Sequence, residues 1–259
     1  MSDIQKKLRC QCDPKCPLPP EKGSAFCKNH QGPCARISPL TGAEPSFTRD
    51  LALWNKHREG NNCFSYAMNI LDTVREKAFP QPGKAAGYSG NFPHQKSCDN
   101  MIARLFGDNG KNPLIDKTTD KIKKISFEEK CPDKMSKIAL IIDADEDYHF
   151  LRQDSLGWWS QKGGAQKVTN LDASDRPIWD PKLCDNNWLN KNGYLNYNVF
   201  CSYMCVSRVE PLYVQGGGSR RARHARRTRH ARRTSAGLKR AARPSRKSKK
   251  RRTQRTKRS

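Results

Sequence analysis

The chain has 259 residues, with 50 Lys or Arg against 25 Asp or Glu and a formal net charge of +25. That length suits one medium domain with appendages rather than two full domains. No apolar run approaches the about 18 residues needed to span a bilayer, and the N-terminal MSDIQKKLRCQC lacks the apolar stretch of a secretory signal, so a soluble intracellular protein with no membrane partner is expected.

The charge is unevenly spread. Residues 216–259 hold 20 of the 50 basic side chains and no acidic one, which leaves 30 against 25 in the rest. Composition divides the chain into a Cys-, Lys- and Pro-rich segment (1–36), a connecting arm (37–60), an apolar-patterned domain (61–215) and a basic tail (216–259). With no export signal and six metal-type residues near the N-terminus, the 11 cysteines read as metal ligands and free thiols rather than disulfides.

In the first segment Cys10, Cys12, Cys16, Cys27, His30 and Cys34 are six soft or borderline ligands. Zinc takes four in a tetrahedron, and short Cys/His pairs deliver two ligands per tight turn. The stretch KCPLPPEKGSAFCKNH resembles small zinc modules of the G-x2-[FY]-C-x2-H type found in large DNA viruses. That resemblance implies Cys16, Cys27 and His30 as ligands, with Cys12 or Cys10 as the fourth. Cys34 is then a bystander, unless the six hold two metals.

The arm is expected to pack through Leu51, Leu53 and Trp54. Beyond it, Ala67, Ile70, Leu71 and Val74 recur at helical spacing behind Cys63, with Asn61 or Asn62 placed to cap the helix and the Pro80-Gln81-Pro82-Gly83 turn to end it. Residues 98–106 suggest a second helix. Residues 137–142, 147–153, 158–162 and 198–206 read as strands, the second and third joined by a turn at Asp154-Ser155-Leu156-Gly157. Helices followed by antiparallel strands make an α+β domain.

A thiol in the first turn of a helix faces unsatisfied N–H groups and the positive end of the helix dipole, which favour the thiolate. Cys63 is therefore a candidate nucleophile. His149, on a strand with acidic residues before it and a turn after it, is the candidate base, ahead of His57 and His94. If Asp154 pairs with Gly157, position 149 lies opposite 162 and close to Gln161, which can orient the imidazole. Asp154 is the alternative orienter, although strand alternation sets it on the other face from His149. Oxyanion donors would be the Cys63 backbone N–H and a nearby polar group such as Asn62.

The segments NCFSYAMN, PQPG, DYHFLRQDSLGWWSQKGG and VTNLDAS resemble papain-like proteins of bacteria and large double-stranded DNA viruses, related to NlpC-type and CHAP-type amidases. The resemblance spans roughly residues 37–206. It implies a papain-like core, with a helix carrying Cys63 packed on an antiparallel sheet, and a reaction in which Cys63 attacks an amide or ester, His149 acts as base and Gln161 orients it. Relatives often read WSHK where this chain has Trp159-Ser160-Gln161-Lys162. A Gln accepts from an imidazole N–H but cannot stabilise an imidazolium as a carboxylate does.

The tail repeats RHARRT at 223–228 and 229–234 and ends in KSKKRRTQRTKRS. It cannot bury a core and is expected to be disordered when free. Arg220, Arg221, Arg226, Arg227, Arg232, Arg233, Lys249, Lys250, Arg251 and Arg252 would bind nucleic acid through phosphates without base specificity, or act in nuclear import. Two functions follow from these features. One is a cysteine peptidase or amidase, acting on a protein or peptide and directed by its tail to nucleic acid, a nucleus or a virion. The other is a catalytically inactive, virion-associated, DNA-binding structural protein.

Overall fold

Six antiparallel strands form one sheet, β1 (Ile122–Ile125), β2 (Met135–Asp143), β3 (Asp147–Gln153), β4 (Trp159–Lys162), β5 (Val168–Thr169) and β6 (Val199–Ser207), in the order β1-β6-β2-β3-β4-β5. The computed structural model describes residues 10–12, 15–22, 24–30, 37–73, 79–88, 96–109, 121–144, 146–192 and 195–209. The chain divides into two units, Met1–Gly217 and Gly218–Ser259, and all described residues belong to the first.

β2 is the central strand, and eight of its nine residues are buried, as expected where both faces of a sheet are covered. Ile138, Leu140 and Ile142 point into one core with Phe64, Met101 and Leu105 from the helices. Ala139 and Ile141 point into the other, with Trp159, Ile178, Tyr197 and Tyr203. The fold is thus mixed, with short helices on one face of an antiparallel sheet and the stretch that carries Ile178, Cys184 and Tyr197 over the other.

Helix α1 (Phe47–Lys56) begins at Ser46, whose side chain accepts from the Arg49 N–H. It buries Trp54, which meets Tyr66 edge-on, but Leu53 is exposed, contrary to the expected packing of the arm. Helix α2 (Cys63–Met68) is capped by Asn62 in a capping box with Ser65. It is much shorter than the apolar spacing suggests. Asn69 turns left-handed at φ 57°, the Ile70 N–H bonds the Ser65 carbonyl and the Asn69 N–H bonds that of Tyr66, a Schellman stop. Buried Arg152 reinforces the stop, donating to the Tyr66 carbonyl and the Asn69 side chain. Ile70 and Leu71 therefore lie beyond the helix, and Val74 is outside the described residues.

Helix α3 (Cys98–Asn109) is tied to β6 by a Cys98–Cys201 disulfide, and a Cys131–Cys205 disulfide ties the approach to β2 to the same strand. Cys12 is also disulfide-bonded. The expectation of free thiols is corrected at these five cysteines, and in the Cys98–Cys201 and Cys131–Cys205 pairs the topology brings together partners from distant segments where spacing along the chain could not show it. Cys10, Cys16, Cys27, Cys63 and Cys184 take part in no disulfide. Among the described residues no helix is long and apolar enough to cross a membrane.

Candidate functional site

The β3–β4 register decides what His149 meets. Leu151 pairs with Gln161 and Gln153 with Trp159, and the turn closes through the Asp154 N–H to the Trp158 carbonyl. That is one residue away from the Asp154–Gly157 pairing expected from the sequence. A one-residue slip moves every side chain to the other face. The observed register sets Gln161 on the same face as His149, where Nε2 of the imidazole and Oε1 of Gln161 are 2.8 Å apart.

The proton on that bond follows from a second contact. Gln161 Nε2 donates to the Leu171 carbonyl over 2.7 Å, which fixes the amide so that its oxygen faces the ring. His149 must then donate from Nε2, leaving the Nδ1 lone pair, which has no hydrogen-bond partner among the described residues, as the basic position. The ring also packs against Tyr197, with centroids 5.2 Å apart, and Tyr197 donates to Asp147. Burial pushes the His149 imidazole down to about 4, against the opposing pull of Asp147 and Gln161. A cleft of about 270 Å³ opens here, lined by His149, Gln161, Asp147, Trp188, Tyr197 and the 163–167 loop.

Cys63 lies in the helical core, and its thiol reaches the Tyr148 carbonyl at 3.9 Å. No hydrogen bond joins it to His149. Tyr148 and Phe150 share the core that holds Cys63, whereas His149 pairs with Ile141 on the opposite core. Burial, then the Asp147 charge, push the Cys63 thiol up to about 12, although the Phe150 backbone, Lys162 and the Phe64 backbone work the other way. Thiol and imidazole are both neutral at rest. The Asn62 side chain is held by the surrounding backbone, its Nδ2 donating to the Pro80 carbonyl and its oxygen accepting from the Ser65 N–H.

The remaining candidates resolve differently. Asp154 is buried 3.7 Å from Arg152 and makes no contact with His149. His57 caps α1, and its carbonyl accepts from Asn61, while His94 lies outside the described residues. Sequence reasoning missed Lys162. Its buried ammonium donates to three backbone carbonyls, those of Arg58 at 2.8 Å, Asn61 at 2.5 Å and Gly164 at 2.5 Å, and so ties the approach to α2 and the cleft loop to β4. The alternation of β4 places it on the α2 side beside Gln161, a signal that was readable only once the register was known.

At the N-terminal segment, ligand atoms of Cys10, Cys16, Cys27 and His30 all lie within 4.8 Å of one another. Cys16 and Cys27 sulfurs are 3.7 Å apart, and His30 Nδ1 is 3.5 Å from the Cys10 sulfur and 3.3 Å from that of Cys27. A tetrahedral ion with metal–sulfur bonds of about 2.3 Å and metal–nitrogen bonds of about 2.0 Å needs edges of about 3.8 Å and about 3.5 Å. The four residues fit such an ion. Burial pushes the Cys27 thiol up, but the Asn29 backbone and the neighbouring Cys16, Cys10 and His30 side chains outweigh it and bring it down to about 7. The fourth member of the group that could hold an ion is Cys10, not Cys12, which its disulfide removes from the set. Cys34 and the ten tail residues assigned to nucleic acid lie outside the described residues.

No family model and no solved structure matches the chain. It is 33% identical over 131 residues to the insoluble matrix shell protein 1 of Ruditapes philippinarum, a stretch covering 48% of this chain and 70% of that protein. A protein matched over so much of its length at that identity is a relative, and the chain belongs to the family of the insoluble matrix shell protein 1.

Proposed function

We propose that the chain is a papain-like cysteine hydrolase acting on an amide or ester. The observation that carries this reading is the Leu171–Gln161–His149 relay, which leaves Nδ1 as the unprotonated nitrogen of a histidine that lines a cleft. On this reading Cys63, which rests in the other core, must first come within reach of His149; with the thiol at about 12 and the imidazole at about 4, proton transfer between them then accompanies attack on the acyl carbon instead of preceding it. His149 then returns the proton to the leaving group, and water releases the acyl product. An electrophilic thiol probe tests this. Cys63 should label faster than buried Cys184, and His149→Ala should slow Cys63 alone. Labelling of Cys63 at the rate of Cys184, unchanged by His149→Ala, would sink the proposal.

The Cys10/Cys16/Cys27/His30 set, three thiolates and an imidazole, is assigned to zinc, a structural ion holding a segment with too few apolar residues to fold by burial. The tail is assigned to non-specific binding of nucleic acid. Binding should weaken steeply with salt and disappear on deleting residues 216–259. Salt-independent binding would exclude this role.

A second reading has its own support. The relative is by name an insoluble protein of a shell matrix, and Cys63 makes no hydrogen bond to His149. On this reading the domain is a non-catalytic structural protein stapled by disulfides and metal, with the tail binding a polyanion. It predicts no turnover of any acyl substrate and equal probe labelling of Cys63 with and without His149. The disulfides also remove the ground for an intracellular, reducing location and favour an oxidising one.

A further inference from the structure

Gln11 follows the metal ligand Cys10 directly and is only 2% exposed. Its backbone N–H donates to the Ala25 carbonyl over 2.9 Å, which holds it inside the Cys/His segment, while its side chain leaves that segment altogether. Gln11 Nε2 donates to the Pro177 carbonyl over 3.1 Å, and Oε1 accepts from the Trp179 N–H at 2.7 Å and the Asp180 N–H at 3.2 Å. An amide whose two ends are both matched to backbone groups fixes the position of the chain it grips. Phe26 of the same segment adds apolar contact, packing on Trp179 with ring centroids 5.8 Å apart.

The gripped residues form one arm of a tight loop. Its other arm ends at Leu171, which bridges Pro177. The loop is stiff: the Ile178 N–H bonds the Asn170 carbonyl, the Asp172 N–H bonds that of Arg176, and the buried Asp172 carboxylate accepts from Arg176. The Leu171 carbonyl is the group that turns the Gln161 amide and thereby sets the proton on His149 Nε2. A continuous run of short contacts thus leads from the metal ligands, through one side chain, to the imidazole.

We propose that Gln11 is a positioning residue for His149: by docking the metal-held segment on the 170–180 loop, it couples metal occupancy to the tautomer and orientation of the imidazole. The inference rests on the metal assignment and on His149 being the base of the proposed reaction. Its physical content is a coupling through two hydrogen-bonded segments, not a contact between metal and imidazole.

The test reads the imidazole directly. In the zinc-loaded full chain, nitrogen-15 NMR of His149 should report an Nε2–H form with slow proton exchange. Gln11→Ala with zinc retained should speed that exchange about tenfold, the worth of one hydrogen bond, while β2 and β6 amides stay protected. Stripping zinc from the unaltered protein with a chelator should do the same, and decides the matter alone if the variant does not fold. An unchanged His149 signal in either arm overturns the proposal. Loss of all amide protection on stripping also overturns it, since the metal would then hold the whole sheet rather than this contact. No substrate is involved, so a domain without turnover leaves the readout intact and separates this inference from the hydrolase reading.

Discussion

His149 and Gln161 are joined by a 2.8 Å hydrogen bond although neither lies directly opposite the other, Gln161 being paired with Leu151 across β3 and β4. Diagonal neighbours on one face of a sheet are within reach of long side chains. The contact orients the ring but supplies no charge to it.

Replacing Gln161 by Glu supplies that charge. A carboxylate at the same position should raise the His149 imidazole from about 4 by about 1 to 3 pH units, read by NMR titration of the ring. No rise would mean that the carboxyl is itself protonated in this buried setting. Gln161→Ala should instead leave the ring in mixed tautomers.

The low His149 value also predicts a pH dependence of stability. Between its ordinary 6.5 and the folded-state value of about 4 the unfolded chain binds a proton here and the folded chain does not. The contribution of neutral His149 is complete above about pH 6.5 and is lost as pH falls through that window, about 3 kcal/mol in all. Buried Asp154 and Asp108, pushed up to about 7 and about 6, act in the opposite direction over part of the same range. Urea unfolding of His149→Gln beside the unaltered protein isolates the term: the variant should gain relative stability as pH is lowered. A constant difference between pH 7 and pH 4 would place the imidazole in contact with water.

Lys162→Met removes the donor shared by the Arg58, Asn61 and Gly164 carbonyls. Only the Asn61 carbonyl among these acceptors is buried, and leaving it without the ammonium should cost about 1 to 3 kcal/mol in urea unfolding. A cost below about 1 kcal/mol would mean that water replaces the ammonium. The same variant should push the Cys63 thiol higher, because Lys162 is among the groups that hold it down.

Metal content separates the ligands from their neighbour. Cys10→Ser, Cys16→Ser, Cys27→Ser and His30→Ala should each lose stoichiometric zinc, whereas Cys12→Ser should keep it. Elemental analysis of the purified variants decides. Zinc lost with Cys12→Ser and kept with Cys10→Ser would reverse the assignment.

Local chemistry along the chain was enough to place β3 at its observed bounds, to start α2 at Cys63 with an Asn cap, and to mark the N-terminal Cys/His segment as a candidate metal group, though not to choose between Cys10 and Cys12, because caps, alternation and short ligand spacing act over a few residues. It did not reveal where α2 ends, since the stop depends on Arg152 arriving from β3 to bond Asn69. Nor did it reveal the cysteine pairing, which joins residues 103 and 74 apart. The β3–β4 register was missed by one residue. The turn alone permits two pairings, and the choice falls to the one that buries Leu151 and Trp159 together against Ile178. The residues of the candidate site are thus legible in the sequence, but their faces are not: a sheet assigns faces only when its cores close on both sides, and here that closure brought Gln161 to His149 and left Cys63 in the other core.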